Sequence, residues 1–221
     1  EILDKIISEG HEIGFHTMYH DRLDSMKNKQ EFVDELKEFS RLTSNKSKGF
    51  RAPSFSLNYS SAWAIDALVE NGYQYDSSIV PAKTSLYGMP NAEIKPYKIT
   101  TSNLEKNNQD GKLIEFPLLT KKIFHFSFPV AGGFFIRLLP LRWIEKAIKS
   151  NEDKKIPSTF YIHSWELTPE HMRKVQMSKR DNFITYYNLK KTSARLEKLL
   201  KKFEFTSFER FISNTGHTFN L

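Results

Sequence analysis

Two imidazoles stand four residues apart in Gly10-His11-Glu12-Ile13-Gly14-Phe15-His16-Thr17-Met18-Tyr19-His20-Asp21, directly after a short alternating stretch. If the backbone turns helically after Phe15, residues i and i+4 share a face with Cβ atoms about 5–6 Å apart. Two neutral ring nitrogens could then meet one zinc ion at about 2.0–2.1 Å. The spacing therefore predicts a metal site built on His16 and His20, with a third ligand supplied from elsewhere. The ordinary alternative is a pair of surface loop histidines. His11 is an odd number of positions from His16 and points to the other side of an extended strand, which makes it a poor ligand.

A metal hydrolase also needs a base to activate water, donors for the developing oxyanion and an acid for the leaving group. Arg51, Asp76 and His163 each fall at or just beyond the carboxyl end of a strand-like run. In parallel α/β architectures the carboxyl ends of strands share one face, so polar residues there converge although far apart in sequence. Singly, each has an ordinary explanation. Arg51 is a surface charge or a guanidinium gripping a carboxylate through two parallel bonds; Asp76 in Asp76-Ser77-Ser78 suits a cap or turn; a lone strand-end histidine such as His163 suits a structural hydrogen bond.

The elements that must position these residues repeat a helix-then-strand pattern. Ile2, Leu3, Ile6 and Ile7 form a helical stripe closed by Gly10, followed by a strand over Ile13-Gly14-Phe15. Asn28 caps a second helix carrying Phe32, Leu36, Phe39 and Leu42, followed by a strand over Phe50-Arg51-Ala52. Ser60 or Ser61 caps a third through Trp63, Ile65, Leu68 and Val69, before a strand over 73–80. Three such units predict a parallel α/β sheet or barrel. Beyond an irregular excursion over 81–109, with one short strand at Tyr97-Lys98-Ile99, strands are expected at 113–116, 159–163 and 205–207. Helices are expected at 134–149, bent or delayed by Pro140, at 189–203 and at 208–212, with a loop over 171–182 and Thr168-Pro169 as a cap and first-turn proline.

Composition narrows the chemistry. With 221 residues the chain fits one domain, 1–221. Cysteine is absent, so any metal must take His and carboxylate ligands. The most hydrophobic run, 128–143, is interrupted by Gly132-Gly133, Arg137 and Pro140, too soon for a membrane span. The net charge of +7 is C-terminal: 1–170 holds 22 Lys/Arg against 22 Asp/Glu, and 171–221 holds 11 against 4. A one-sided basic surface suits an anionic partner such as acidic glycan, phospholipid headgroups or nucleic acid, while lysine-rich solvated helix faces account for it without any partner. Aromatics including Tyr59, Trp63, Tyr87, Phe124, Phe126, Tyr161 and Trp165 are core by default, and Trp165, two residues beyond His163 at a strand end, is the best candidate for a groove wall.

Taken in order, these segments resemble one family. His16-Thr17-Met18-Tyr19-His20, with the preceding Gly10-His11-Glu12-Ile13, resembles the His-Ser/Thr-x-x-His metal motif of the polysaccharide deacetylases, the NodB-homology carbohydrate esterases. Phe50-Arg51-Ala52-Pro53-Ser54-Phe55-Ser56 resembles their Arg-x-Pro motif, Tyr73-Gln74-Tyr75-Asp76-Ser77-Ser78-Ile79 follows at the expected place, and Phe160-Tyr161-Ile162-His163-Ser164-Trp165-Glu166-Leu167 resembles the late catalytic histidine motif. The run 131–140 and Tyr187-Asn188-Leu189 are similar to the C-terminal extension, here within 113–221, of the subgroup associated with exopolysaccharide and exosortase loci.

The resemblance implies a distorted (β/α) barrel holding one divalent metal, usually Zn²⁺, by an Asp and two His, with water in the open position attacking an acetamide. By motif, His16 and His20 would be ligands, Arg51 would orient the base carboxylate, the Ser54 backbone N–H would help stabilise the oxyanion and His163 would protonate the departing amine. Asp76 is the carboxylate assigned beside His163. The substrate class implied is an N-acetylated polysaccharide or oligosaccharide, with no nucleic-acid partner expected; contact with an anionic surface would run through the basic C-terminal region. The alternatives are an amidohydrolase acting on a small cyclic amide and a non-catalytic carbohydrate-binding relative. The Asp-rich first motif has no counterpart here, and Ser164 stands where the subgroup usually has Pro. Opening at Glu1 within a helix, the chain is expected to be N-terminally truncated, to lack its Asp ligand and localisation signals, and to bind metal weakly alone.

Overall fold

Residues 2–26 and 28–215 are described by the structure, a computed structural model; the helical start at Glu1 lies outside them. The chain divides into two compact units, residues 1–117 with 206–221, and residues 118–205.

In the first unit, α1 (Ile2–Ser8) leads into β1 (Gly14–Phe15), α2 (Lys29–Leu42), β2 (Gly49–Phe50), α3 (Trp63–Glu70), β3 (Tyr75–Asp76), β4 (Tyr97–Ile99) and β5 (Leu113–Glu115). The strands form one sheet in the order β1-β2-β3-β5-β4. β1, β2, β3 and β5 are parallel, and the register aligns Phe15 with Phe50, Phe50 with Asp76, and Asp76 with Glu115. The residues after these positions therefore emerge along one sheet edge. β4 runs antiparallel to β5. The expected parallel α/β sheet is present, but the expected barrel is not closed among the described residues: β1 and the reversed β4 end the sheet as two edges.

Helix α2 forms as its pattern predicts. Asn28 Oδ1 accepts from Glu31 N at 2.9 Å, satisfying a first-turn donor, while Phe32 and Leu36 are buried on one stripe. Phe15 from β1 packs against the rings of Phe32, Phe39 and Phe50, so an aromatic core lies directly beneath the end of β1. A Cβ on Gly49 would fall 2.1 Å from the Tyr75 ring, which ties glycine in β2 to tyrosine in β3. Neither Ser60 nor Ser61 caps α3, whose N-cap is Ala62; Ser61 Oγ instead donates to the Ser56 carbonyl at 2.9 Å.

The second unit contains an antiparallel hairpin, β6 (Thr120–Ile123) and β7 (Phe126–Pro129), then α4 (Gly133–Leu138), α5 (Leu141–Glu152), α6 (Lys179–Tyr186) and α7 (Thr192–Lys202). Pro140 separates α4 from α5 and serves as the N-cap of the latter. The strand expected over 159–163 reduces to one bridge, Thr159 with Leu118. Helix α6 occupies the end of the expected loop, capped by Ser178 accepting from Asp181 N at 3.1 Å.

In the first unit again, α8 (Phe208–Thr215) brings Phe208 to 4.7 Å from the Phe116 ring, measured between centroids. The strand expected over 205–207 is absent. Among the described residues no helix is long and apolar enough to cross a membrane.

Candidate functional site

The chain leaves β1 at Phe15 and enters an irregular loop carrying His16 and His20. The helical turn expected there does not form. Thr17 and His20 take left-handed backbone angles, φ 53° and 62°, uncommon outside glycine, and the pair is assembled by this loop instead. Its ring centroids lie 5.0 Å apart at 75°. Two imidazoles on one tetrahedral ion place their centroids about 5 Å apart, so the pair fits one divalent cation. His16 Nδ1 donates to the Arg51 carbonyl at 2.5 Å, which sets the ring's orientation and makes Nε2 the nitrogen that could ligate a metal. The half of the loop beyond Thr17 is anchored to α2, where the largely buried Glu35 accepts from Met18 N at 2.9 Å. Among the described residues no group of three His, Cys, Asp or Glu side chains completes a metal centre. The residues present offer two candidate ligands.

The next two strand ends carry Arg51 and Asp76. Arg51 donates from Nε to the Ser77 carbonyl and from Nη2 to Ser77 Oγ, both at 2.8 Å. Ser54 is exposed, with left-handed φ 54° and ψ 26°, and Phe55 follows with φ 52°. Two successive non-glycine residues in this region store strain at the proposed oxyanion donor. Asp76 is fully buried. Its Oδ1 accepts from Ser78 Oγ at 2.5 Å, while Oδ2 meets no N–H or hydroxyl donor among the described residues. The register sets it beside Glu115, also buried, whose carboxylate accepts from Ile79 N at 2.9 Å. Asp76 is thus engaged with Glu115 and Ser78 within the first unit.

Burial pushes Asp76 up to about 6, against the hydrogen bonds from Glu115 and Ser78 and the charge of Arg51. Burial and the charge of Asp76 push Glu115 well above the ordinary carboxylate range. Two buried carboxyls side by side resist ionising together, which favours retention of a proton by the pair. Both folded values exceed their unfolded ones, so the native state binds more protons. The pair's stabilisation is present below about pH 4 and is lost as pH rises through 6 and beyond. Glu115→Gln, which removes one titrating carboxyl and offers a permanent N–H donor, is expected to flatten that dependence on pH. Urea unfolding at a series of pH values checks this, and a variant profile parallel to the wild type would refute it.

In the second unit His163 precedes a 3-10 turn, Ser164–Glu166. Glu166 folds back to accept from His163 N at 3.0 Å and lies 3.1 Å from His163 Nδ1. Burial raises the Glu166 carboxyl, but the bonds from His163 and the charge of Arg137 outweigh it, and the net shift is downward. An ionised carboxylate can only accept, so Nδ1 is the protonated nitrogen that faces Glu166. The Trp165 ring stacks on His163 at 5.3 Å and 19°. The carboxylate at His163 is therefore Glu166, where the sequence had suggested Asp76.

Behind Glu166 stands Arg137, 3.0 Å away, both side chains 1% exposed. Its remaining donors take the carbonyls of Gly133, Ile184, Thr185 and Tyr187 at 2.6–3.1 Å. A Cβ on Gly133 would fall 1.6 Å from the Glu166 carboxylate, so this glycine makes room for the pair. A single guanidinium thus joins α4, the His163 turn and the end of α6. Residues 77–213 match the family described as "Domain of unknown function (DUF3473)". The chain belongs to the DUF3473 family. The DUF3473 region contains Glu115, Arg137, His163 and Glu166, whereas His16, His20, Arg51, Ser54 and Asp76 precede it.

A solved structure, 4-alpha-glucanotransferase from Thermococcus litoralis, is similar to this DUF3473 protein with 15% identity and a TM-score of 0.55, over 96% of this chain and 30% of that one. The likeness is one of fold, and the chain spans under a third of that enzyme. No curated protein matches it. Two residues that build the His163 turn are not singled out by the sequence, and both left signals. Glu166 lies three positions after His163, the spacing at which a side chain caps a turn, and Arg137 is a lone charge in an apolar run, which burial requires to be paired.

Proposed function

We propose that this chain belongs to a metal-dependent hydrolase that removes N-acetyl groups from the sugars of a polysaccharide. The observation that carries the reading is the His16/His20 pair, 5.0 Å apart and keyed to the Arg51 carbonyl at the carboxyl ends of parallel strands. A divalent metal, zinc by its fit to imidazole, would supply Lewis acidity and an activated water there. His16 and His20 would hold it, and the third ligand would come from outside the described residues. The open edge of β1 is where a further parallel strand carrying that ligand would pair.

The chain's own residues take the remaining roles. Arg51 steadies the Ser77 turn and offsets nearby carboxylate charge. The Ser54 backbone is the proposed oxyanion donor. His163 is the proposed acid: in its imidazolium form Glu166 accepts the Nδ1–H, and the Nε2–H is the proton that would pass to the departing amine, leaving the neutral Nδ1–H ring. Trp165 offers an aromatic face for a sugar ring.

Calorimetric titration with Zn²⁺ is expected to show weak binding that falls about tenfold or more on His16→Ala or His20→Ala; identical titrations for all three proteins would remove the centre. A form extended N-terminally is expected to bind more tightly and to release acetate from N-acetylglucosamine oligomers. Tight zinc binding with no acetate released would favour the cyclic-amide reading. Binding of the oligomers with neither zinc uptake nor turnover would favour a non-catalytic carbohydrate-binding relative.

A further inference from the structure

The β6–β7 hairpin places large apolar groups where folding gives them nothing to cover. Phe124, Phe126 and Phe128 are 90%, 70% and 47% exposed, falling from tip to base. The register pairs Ile123 with Phe126 and Lys121 with Phe128, so these four side chains share one face. The opposite face carries Lys122 beside Ser127. Phe124 also holds φ 53° at the turn, a conformation that a bulky residue adopts at a cost. A soluble hairpin would be served better by Asn or Gly there.

The charge of the same unit says what would cover this face. Residues 118–205 carry 18 Lys/Arg against 8 Asp/Glu, whereas residues 1–117 and 206–221 together carry 15 against 18. The basic excess thus belongs to the unit that bears the aromatic tip. Strands rise about 3.3 Å per residue, so Lys121 and Lys122 stand about 7–10 Å behind Phe124. Interfacial segments sink about 5–10 Å into the headgroup and acyl boundary. With Phe124 at that depth, the two ammonium groups reach the level of the phosphates.

We propose that the Thr120–Pro129 hairpin docks this protein on an anionic phospholipid bilayer, its phenylalanine tip entering the interface and the lysines of residues 118–205 meeting the headgroups. An acidic polysaccharide would satisfy the charge alone. The tip favours lipid, because its three phenylalanine rings carry no hydrogen-bonding group and only the exposed His125 of the turn does, whereas sugar hydroxyls call for polar partners. The inference is independent of the hydrolytic reaction.

Co-sedimentation of the whole chain with vesicles of phosphatidylcholine, alone or mixed with phosphatidylglycerol, tests it. Binding is expected to the mixed vesicles and to weaken with salt. Phe124→Ser with Phe126→Ser is expected to lower the partition coefficient about tenfold or more, and Lys121→Gln with Lys122→Gln to lower it less. Both phenylalanines are exposed, so circular dichroism should be unchanged. As a second readout, the emission of Phe124→Trp should shift to the blue on mixing with anionic vesicles. The proposal is overturned by absence of binding to mixed vesicles or by binding that survives the loss of both phenylalanines. It is overturned equally by phenylalanine-dependent self-association without lipid, or by retention on an acidic polysaccharide with no uptake by vesicles.

Discussion

Arg137→Met is expected to destabilise residues 118–205 by about 3–5 kcal/mol, the cost of breaking a buried ion pair by removing one partner. The substitution keeps an unbranched apolar stem and deletes five polar contacts at once. Glu166 is left buried without its charge partner, and the carbonyls of Gly133, Ile184, Thr185 and Tyr187 lose their donors. Arg137→Lys restores the charge but not the planar fork that reaches carbonyls on separate segments, so it is expected to recover only part of the loss. Urea unfolding, with limited proteolysis to locate the opened segment, measures both variants. A midpoint for Arg137→Met within experimental error of the wild type would show that the guanidinium stabilises nothing net.

The same residue marks where sequence reading stops. Helix α2 was legible because its causes are local: a capping Asn28 followed by Phe32 and Leu36 at helical spacing. The parallel order of β1, β2 and β3 followed from the helices between them. The run Thr159-Phe160-Tyr161-Ile162 reads as a buried strand by composition alone, yet only Thr159 finds a ladder partner; short apolar runs do not distinguish a strand from extended chain. The β6–β7 hairpin lacks the Asn-Gly or Asp-Gly turn that announces most such structures, and its apolar face is exposed, so neither usual signal was present. At the site, the His16/His20 pairing was legible from spacing, but the left-handed Thr17 and His20 that build it were not, because no local rule selects Thr or His for that conformation. The buried Asp76–Glu115 pair depends on β3 and β5 being neighbours, a fact of topology that neither segment carries.

Glu166→Gln is expected to lower kcat for deacetylation by about 10–100-fold with KM little changed, provided His163 is the acid of that reaction. The reason is one of proton placement. The ionised carboxylate of Glu166 accepts from Nδ1 and from the His163 backbone N–H, so it fixes both the imidazole tautomer and the angle of the ring. A carboxamide of the same size has no charge to balance the imidazolium, and its NH₂ group facing Nδ1 favours a ring without the Nδ1–H, so the doubly protonated acid loses its partner. Glu166 is a positioning residue in this account, and ¹⁵N chemical shifts of the His163 ring report its effect whether or not substrate is turned over. Loss of the Nδ1–H tautomer with a fall in kcat supports the full account. Loss of the tautomer with kcat unchanged would remove His163 as the acid and leave the pairing intact. An unchanged tautomer would remove Glu166 from its role, and His163→Ala would then test the acid by itself, with a loss of about 10²–10⁴-fold expected if it protonates the amine.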